Sequence, residues 1–168
     1  MTIIPSTTNN VINNMFSADY CFYIHDNLNR SILKFYYYKK DSNGKEHIAL
    51  QHFSSKKYIK SYPPILDLDF FKFTENTFIN FVNKLAEFVA GNLTGGTVAY
   101  IGNRTDEAVL RVEKISRTDY IIARADDIYE AVEFNNSWYA QFSESQIKLL
   151  LEQLFIIKEK ILEKYCKN

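Results

Sequence analysis

Two segments of this chain begin in the same way. Phe73-Thr74-Glu75 and Phe142-Ser143-Glu144 lie 69 residues apart, and each opens an apolar stripe at helical spacing. At that same offset Phe78 meets Ile147, Phe81 meets Leu150, Val82 meets Leu151 and Leu85 meets Leu154. Thr74 is the right residue type for an N-cap, because its hydroxyl can accept from a free first-turn amide. Ser143 with Gln146 fits a capping box. Gly91 and then Gly95-Gly96 stop the first helix, while the second runs to near the end of the chain.

The segments ahead of each helix read as strands. In the first half these are Tyr20 to Ile24, Ile32 to Lys40, Lys45 to Phe53 and Ile65 to Phe73. Asn43-Gly44 is a hairpin signal, because both residue types tolerate positive φ. In the second half the candidates are Thr97 to Ile101, Ala108 to Ile115, Tyr120 to Arg124 and Ile128 to Phe134, with a further short run at Trp138 to Phe142. The predicted fold class is therefore α+β, with two antiparallel-sheet-plus-C-terminal-helix units (ββββα twice) in one compact body. Residues 1–14, rich in Thr and Asn, are predicted to be a loose arm; 15–92 form the first unit and 97–168 the second.

Charge narrows the function. The whole chain has 20 basic and 20 acidic residues, so it lacks the overall basic character of many nucleic-acid binders. The balance is uneven along the chain. From Arg30 to Lys60 there are eight bases and two acids, a local net of +6. From Asp106 to Glu133 there are eight acids and four bases, a local net of −4. Strand alternation puts Lys34, Tyr36, Tyr38 and Lys40 on one face of the basic hairpin. Rings set between ammonium groups are what a single strand needs for stacking and phosphate contact. The candidate nucleic-acid-binding residues are Lys34, Tyr36, Tyr38, Lys39, Lys40, Lys45, Lys56 and Lys57. The competing reading of the same residues is plainer: tyrosines packed in the core and lysines solvated at a sheet edge.

A family resemblance points in the same direction. Two tandem units of four strands and a helix are the plan of the Whirly-type single-stranded-nucleic-acid-binding proteins, whose relatives among transcriptional coactivators use one unit per chain and dimerise. Gly44-Lys45 followed by Ala49-Leu50 resembles a stretched form of the Whirly Lys-Gly-Lys-Ala-Ala-Leu motif, with two additional residues between Lys45 and Ala49. Phe71-Lys72-Phe73-Thr74 before a helix is similar to that family's strand-to-helix passage, whereas Tyr38-Lys39-Lys40-Asp41 departs from its turn. The resemblance implies binding of single strands and sheets of several protomers set side by side in a homo-oligomer.

Catalytic signatures are sparse. His25, His47 and His52 have no metal-ligand spacing, and Cys21 and Cys166 form no CxxC. Asp126 and Asp127 are adjacent, so on a strand they would point to opposite faces; a turn or helix cap is the expectation. No Gly-rich phosphate loop or nucleophile elbow is present. The sequence thus predicts a non-enzymatic binding protein without cofactor or metal. Its expected partner is single-stranded nucleic acid. The alternative is a protein, bound by a regulator or inhibitor of the phage or mobile-element type through charge complementarity and exposed aromatics. Met1 to Asn14 has neither a basic start nor a long apolar run, so no export signal and no membrane segment is expected. The expected location is the cytoplasm, or a nucleus or organelle in a eukaryote.

Overall fold

The protein is described by a computed structural model covering residues 3–5, 18–28, 30–40, 44–54, 70–91, 97–102 and 107–166. Its first sheet has the order β1 (Ile3–Pro5), β2 (Tyr20–His25), β3 (Ile32–Tyr38), β4 (His47–Phe53) and β5 (Phe70–Phe73). Helix α1 (Glu75–Ala90) follows. The second sheet has the order β6 (Thr97–Ile101), β7 (Val109–Lys114), β8 (Asp119–Ala125) and β9 (Trp138–Ser143), with a short helix α2 (Ile128–Val132) between its last two strands. Helix α3 (Glu144–Cys166) closes the chain. All strand pairs are antiparallel neighbours in sequence. The class is α+β, with two similar sheet units and a C-terminal helix, as the sequence predicts.

Three expectations need correction. Residues 3–5, inside the stretch read as a loose arm, pair with β2 and add a fifth strand to the first sheet. The run from Ile128 is a helix rather than a strand: the Asp127 side chain accepts from the Glu130 amide at 2.8 Å and so starts a turn of helix where alternation suggested extension. The fourth strand of the second sheet is instead the Trp138–Ser143 run. Finally, β3 ends at Tyr38 and β4 begins at His47, so Lys39, Lys40 and Lys45 lie in the connection and not on the ladder. Gly44 supplies the positive φ there, at 77°.

The two helix starts are built alike. Thr74 and Thr77 form one capping box, with the Thr77 amide donating to the Thr74 hydroxyl at 3.1 Å and the Thr74 amide to the Thr77 hydroxyl at 2.7 Å. Ser143 and Gln146 form the other, at 3.3 Å and 2.9 Å. Gln146 does more: its side-chain amide donates to the His25 carbonyl at 3.2 Å, which ties α3 to the first sheet.

One core joins both units. Phe35, Leu50, Phe81 and Leu85 of the first are buried in the same cluster as Val112, Ile122, Leu150 and Leu154 of the second. Helix α1 packs along α3 and also touches β6, while α3 touches β2 and β8. Each helix therefore covers part of the other unit's sheet. Two lysines reinforce this exchange. Lys114 of β7 is buried and donates to the Phe88 and Gly91 carbonyls at the end of α1, at 3.0 and 3.3 Å. Lys164 of α3 pairs with Glu46 at 3.3 Å and with Glu75, which also accepts from the Tyr165 hydroxyl. Among the described residues no helix is long and apolar enough to cross a membrane.

Candidate functional site

The hairpin residues proposed from the sequence divide into three groups. Lys34 and Tyr36 share one sheet face, as alternation predicts; it is the face opposite α1, where both are enclosed, at 7% and 2% exposure. Their partners across the ladder are Tyr23 and Gln51 for Lys34, and Cys21 and Ala49 for Tyr36. The Tyr36 hydroxyl donates to Gln51 Oε1 at 2.9 Å, and the Lys34 ammonium sits 5.1 Å from the Tyr36 ring centroid. Burial pushes the Lys34 ammonium below the ordinary lysine pKa, with the nearby Cys21 acting weakly in the other sense. Burial likewise drives the Tyr36 hydroxyl far above the usual phenol range, helped by Cys21 and Tyr38. A base cannot stack on a ring so enclosed without first uncovering it.

Tyr38, Lys39, Lys40 and Lys45 form the second group. Tyr38 is half-buried, its ring parallel to that of Tyr36 at 6.3 Å and tilted against His47 at 5.8 Å. Lys39, Lys40 and Lys45 are exposed. Lys56 and Lys57 lie outside the described residues, as does the tip of the hairpin at 41–43.

A contact that the sequence did not single out lies where the sheets meet. The Ser31 hydroxyl is 2.9 Å from His52 Nε2, a spacing seen in nucleophile–base pairs. Both groups also join the two sheets. Ser31 is buried, its hydroxyl also donates to the Tyr139 carbonyl at 3.3 Å, and His52 stacks on Trp138 at 4.8 Å. These groups fasten the β2–β3 turn to β9. Asp126 and Asp127 diverge, one pairing with Arg124 at 3.0 Å and the other capping α2. Cys21 is enclosed at 1% exposure. Among the described residues no three of His, Cys, Asp and Glu gather as a metal site.

Among the described residues, the most accessible aromatic surface belongs to the second sheet. The register aligns Tyr100, Arg111, Ala123 and Tyr139 in one row across its four strands, and hence on one face. The row spans roughly 14 Å at the usual strand spacing. This is the face away from α1 and α3. Helix α2 lies over one end of it, where Ala131 and Ile128 pack on Val109 and Ala125. Past α2 the backbone turns at Phe134, whose φ of 61° is the left-handed conformation common at helix ends but unusual for a bulky residue. The turn lays the Phe134 ring over the Arg111 guanidinium, 4.5 Å away. Arg111 is held beneath by Glu113 and by Asn136 Oδ1 at 3.3 Å. The aromatics around it stay open to solvent: Tyr129 is 69% exposed, Phe134 55%, Tyr139 49% and Tyr100 37%.

Sequence reasoning missed this surface because its members are scattered from position 100 to 139. The available signal was weak: three of these aromatics fall within the acidic stretch or just after it. Comparison with family models, with curated proteins and with solved structures gives no match to this chain.

Proposed function

We propose that this chain is a non-enzymatic binding protein that docks another protein on the outer face of its second sheet. One observation carries the proposal: Tyr100, Phe134 and Tyr139 stand open around a buried, already paired Arg111. Aromatic side chains present large contact area at low entropic cost and are enriched where interface energy concentrates. A fixed guanidinium under one ring holds that ring in place before a partner arrives. The local net of −4 between 106 and 133 favours a partner surface rich in lysine and arginine. The two free cysteines, Cys21 buried and Cys166 exposed, fit a reducing compartment such as the cytoplasm.

The test uses the full chain as bait, beside a Phe134→Ala/Tyr139→Ala variant. Both rings are largely exposed, so the fold should survive their truncation. Hot-spot rings cost ~2 kcal/mol or more each, about 4 kcal/mol for the two if they add, so the variant is expected to bind the recovered partner several hundredfold more weakly. Equal retention by both baits, or no stoichiometric partner at all, overturns this reading.

A second reading has its own supporting observation. Lys39, Lys40 and Lys45 are exposed beside Tyr38 at one end of the first sheet, and the Gly44-Lys45 resemblance to Whirly proteins falls in the same connection. That corner suits the backbone of a single-stranded nucleic acid, with Tyr38 as a stacking ring worth about 1–3 kcal/mol. On this reading a labelled oligothymidine is retained at low salt and released as salt rises. Replacing Lys39, Lys40 and Lys45 by Ala should lower the log–log salt slope by about 2, at roughly 0.7 per phosphate contact. Absence of retention at low salt removes it.

A further inference from the structure

Four strands end the two sheets: β1 and β5 in the first, β6 and β9 in the second. An open edge offers a row of free amides and carbonyls, and folded proteins block such edges by shortness, Pro, Lys or a covering loop. Three of these edges are blocked. Strand β1 has three residues, one of them Pro5, which has no N–H to donate. Strand β5 has four residues and carries exposed Lys72. Strand β9 is covered by the β2–β3 turn, where the Asn27 amide donates to the Gln141 carbonyl at 2.6 Å and Ser31 to that of Tyr139. Among the described residues, strand β6, Thr-Val-Ala-Tyr-Ile, has none of these devices. It bears no charge and no proline, and among the described residues no strand lies on its outer side.

We propose that β6 pairs with β6 of a second copy of this chain, antiparallel, about a two-fold axis at Ala99. The sequence of the strand fits itself in that register. Val98 faces the partner subunit's Tyr100, and by symmetry the same pair forms again on the other side of the axis. A β-branched residue opposite an aromatic is a favourable cross-strand pair. Thr97 faces the partner subunit's Ile101 on the inner side. The exposed Tyr100 ring gains a neighbour, and a chain with no net charge meets no long-range repulsion from its copy. Pairing about a perpendicular two-fold keeps both outer faces on one side. The four-stranded sheet is thereby doubled, with the two Tyr100–Arg111–Ala123–Tyr139 rows on the same side and staggered by two residues, about 7 Å, along the strands. A foreign strand would lack this reciprocal match. The inference does not depend on what the outer face binds.

Sedimentation equilibrium of the full chain from micromolar to millimolar concentration tests it. The expected mass rises toward twice 19.7 kDa. Val98→Lys places an ammonium on the edge and should raise the dimer dissociation constant at least about tenfold, since like charges then face each other's strand. Ala99→Cys, in a Cys166→Ser background, brings two thiols together at the axis. Antiparallel pairs have Cα atoms about 4.5–5.5 Å apart, within disulfide range, so mild oxidation should give a covalent dimer with an unchanged circular dichroism spectrum. A monomer mass at every concentration overturns the proposal. So does a dimer that Val98→Lys leaves unmoved, or one that Ala99→Cys fails to cross-link.

Discussion

Phe81→Ala is expected to lower the unfolding free energy of the whole chain by about 3–5 kcal/mol, and the loss should register in the second sheet as fully as in the first. Phe81 is enclosed in the middle of α1. Its ring lies near parallel to Phe35 at 6.2 Å and against Phe73 at 5.4 Å. Truncation removes the transfer energy of the ring and leaves a space between α1 and the first sheet, beside Phe35 and Phe73. Against a total stability of about 5–15 kcal/mol this is a large fraction. The reporter is built in. Trp138, the sole tryptophan, sits in β9, in the other unit. With one shared core, its fluorescence midpoint in denaturant should fall together with the far-ultraviolet circular dichroism signal. A Trp138 transition left in place while the helical signal shifts would mean two separate cores.

Lys114→Met is expected to cost about 2–3 kcal/mol, despite preserving length and apolar bulk. The last turn of α1 contains no basic residue of its own. Its terminal carbonyls carry the negative end of the helix dipole and need donors. Lys114 supplies them from the other unit, with its ammonium also 5.5 Å from the Tyr120 ring. Exchanging a buried ion pair for apolar groups can be neutral when both partners go. Here only the cation goes, and the carbonyls stay behind without it. Hydrogen exchange should show the effect where it arises, with protection lost first in residues 87–91. A variant as stable as the parent, with unchanged exchange there, would refute the cap.

The helices were legible in the sequence because their information is local. The stripe Phe78, Phe81, Val82, Leu85 and its counterpart 69 residues later are buried as their spacing implies. Thr74 and the Ser143–Gln146 pair make the bonds their positions suggest. Where local signals competed, the reading failed. Ile128 to Phe134 has strand-like residues, but one capping carboxylate at Asp127 commits it to a helical turn. The hairpin shows the other limit. Alternation placed Lys34 and Tyr36 correctly on one shared face, yet alternation says nothing about which face that is or whether it is covered. Both residues are enclosed, because burial depends on parts of the chain distant in sequence. The Tyr100–Tyr139 row could not be read in advance for a related reason: it exists only once four strands are in register.

Neither helix end is completed within its own half. Helix α1 borrows its terminal cation from β7, and the last turn of α3 is anchored on carboxylates at Glu46 and Glu75. Gln146 starts its helix and grips the opposite sheet with the same side chain. The halves therefore cannot drift independently through mutation. A change at 114 must be tolerated by 88–91, and one at 164 by 46 and 75, so substitutions at these places should travel as matched sets across the midpoint of the chain.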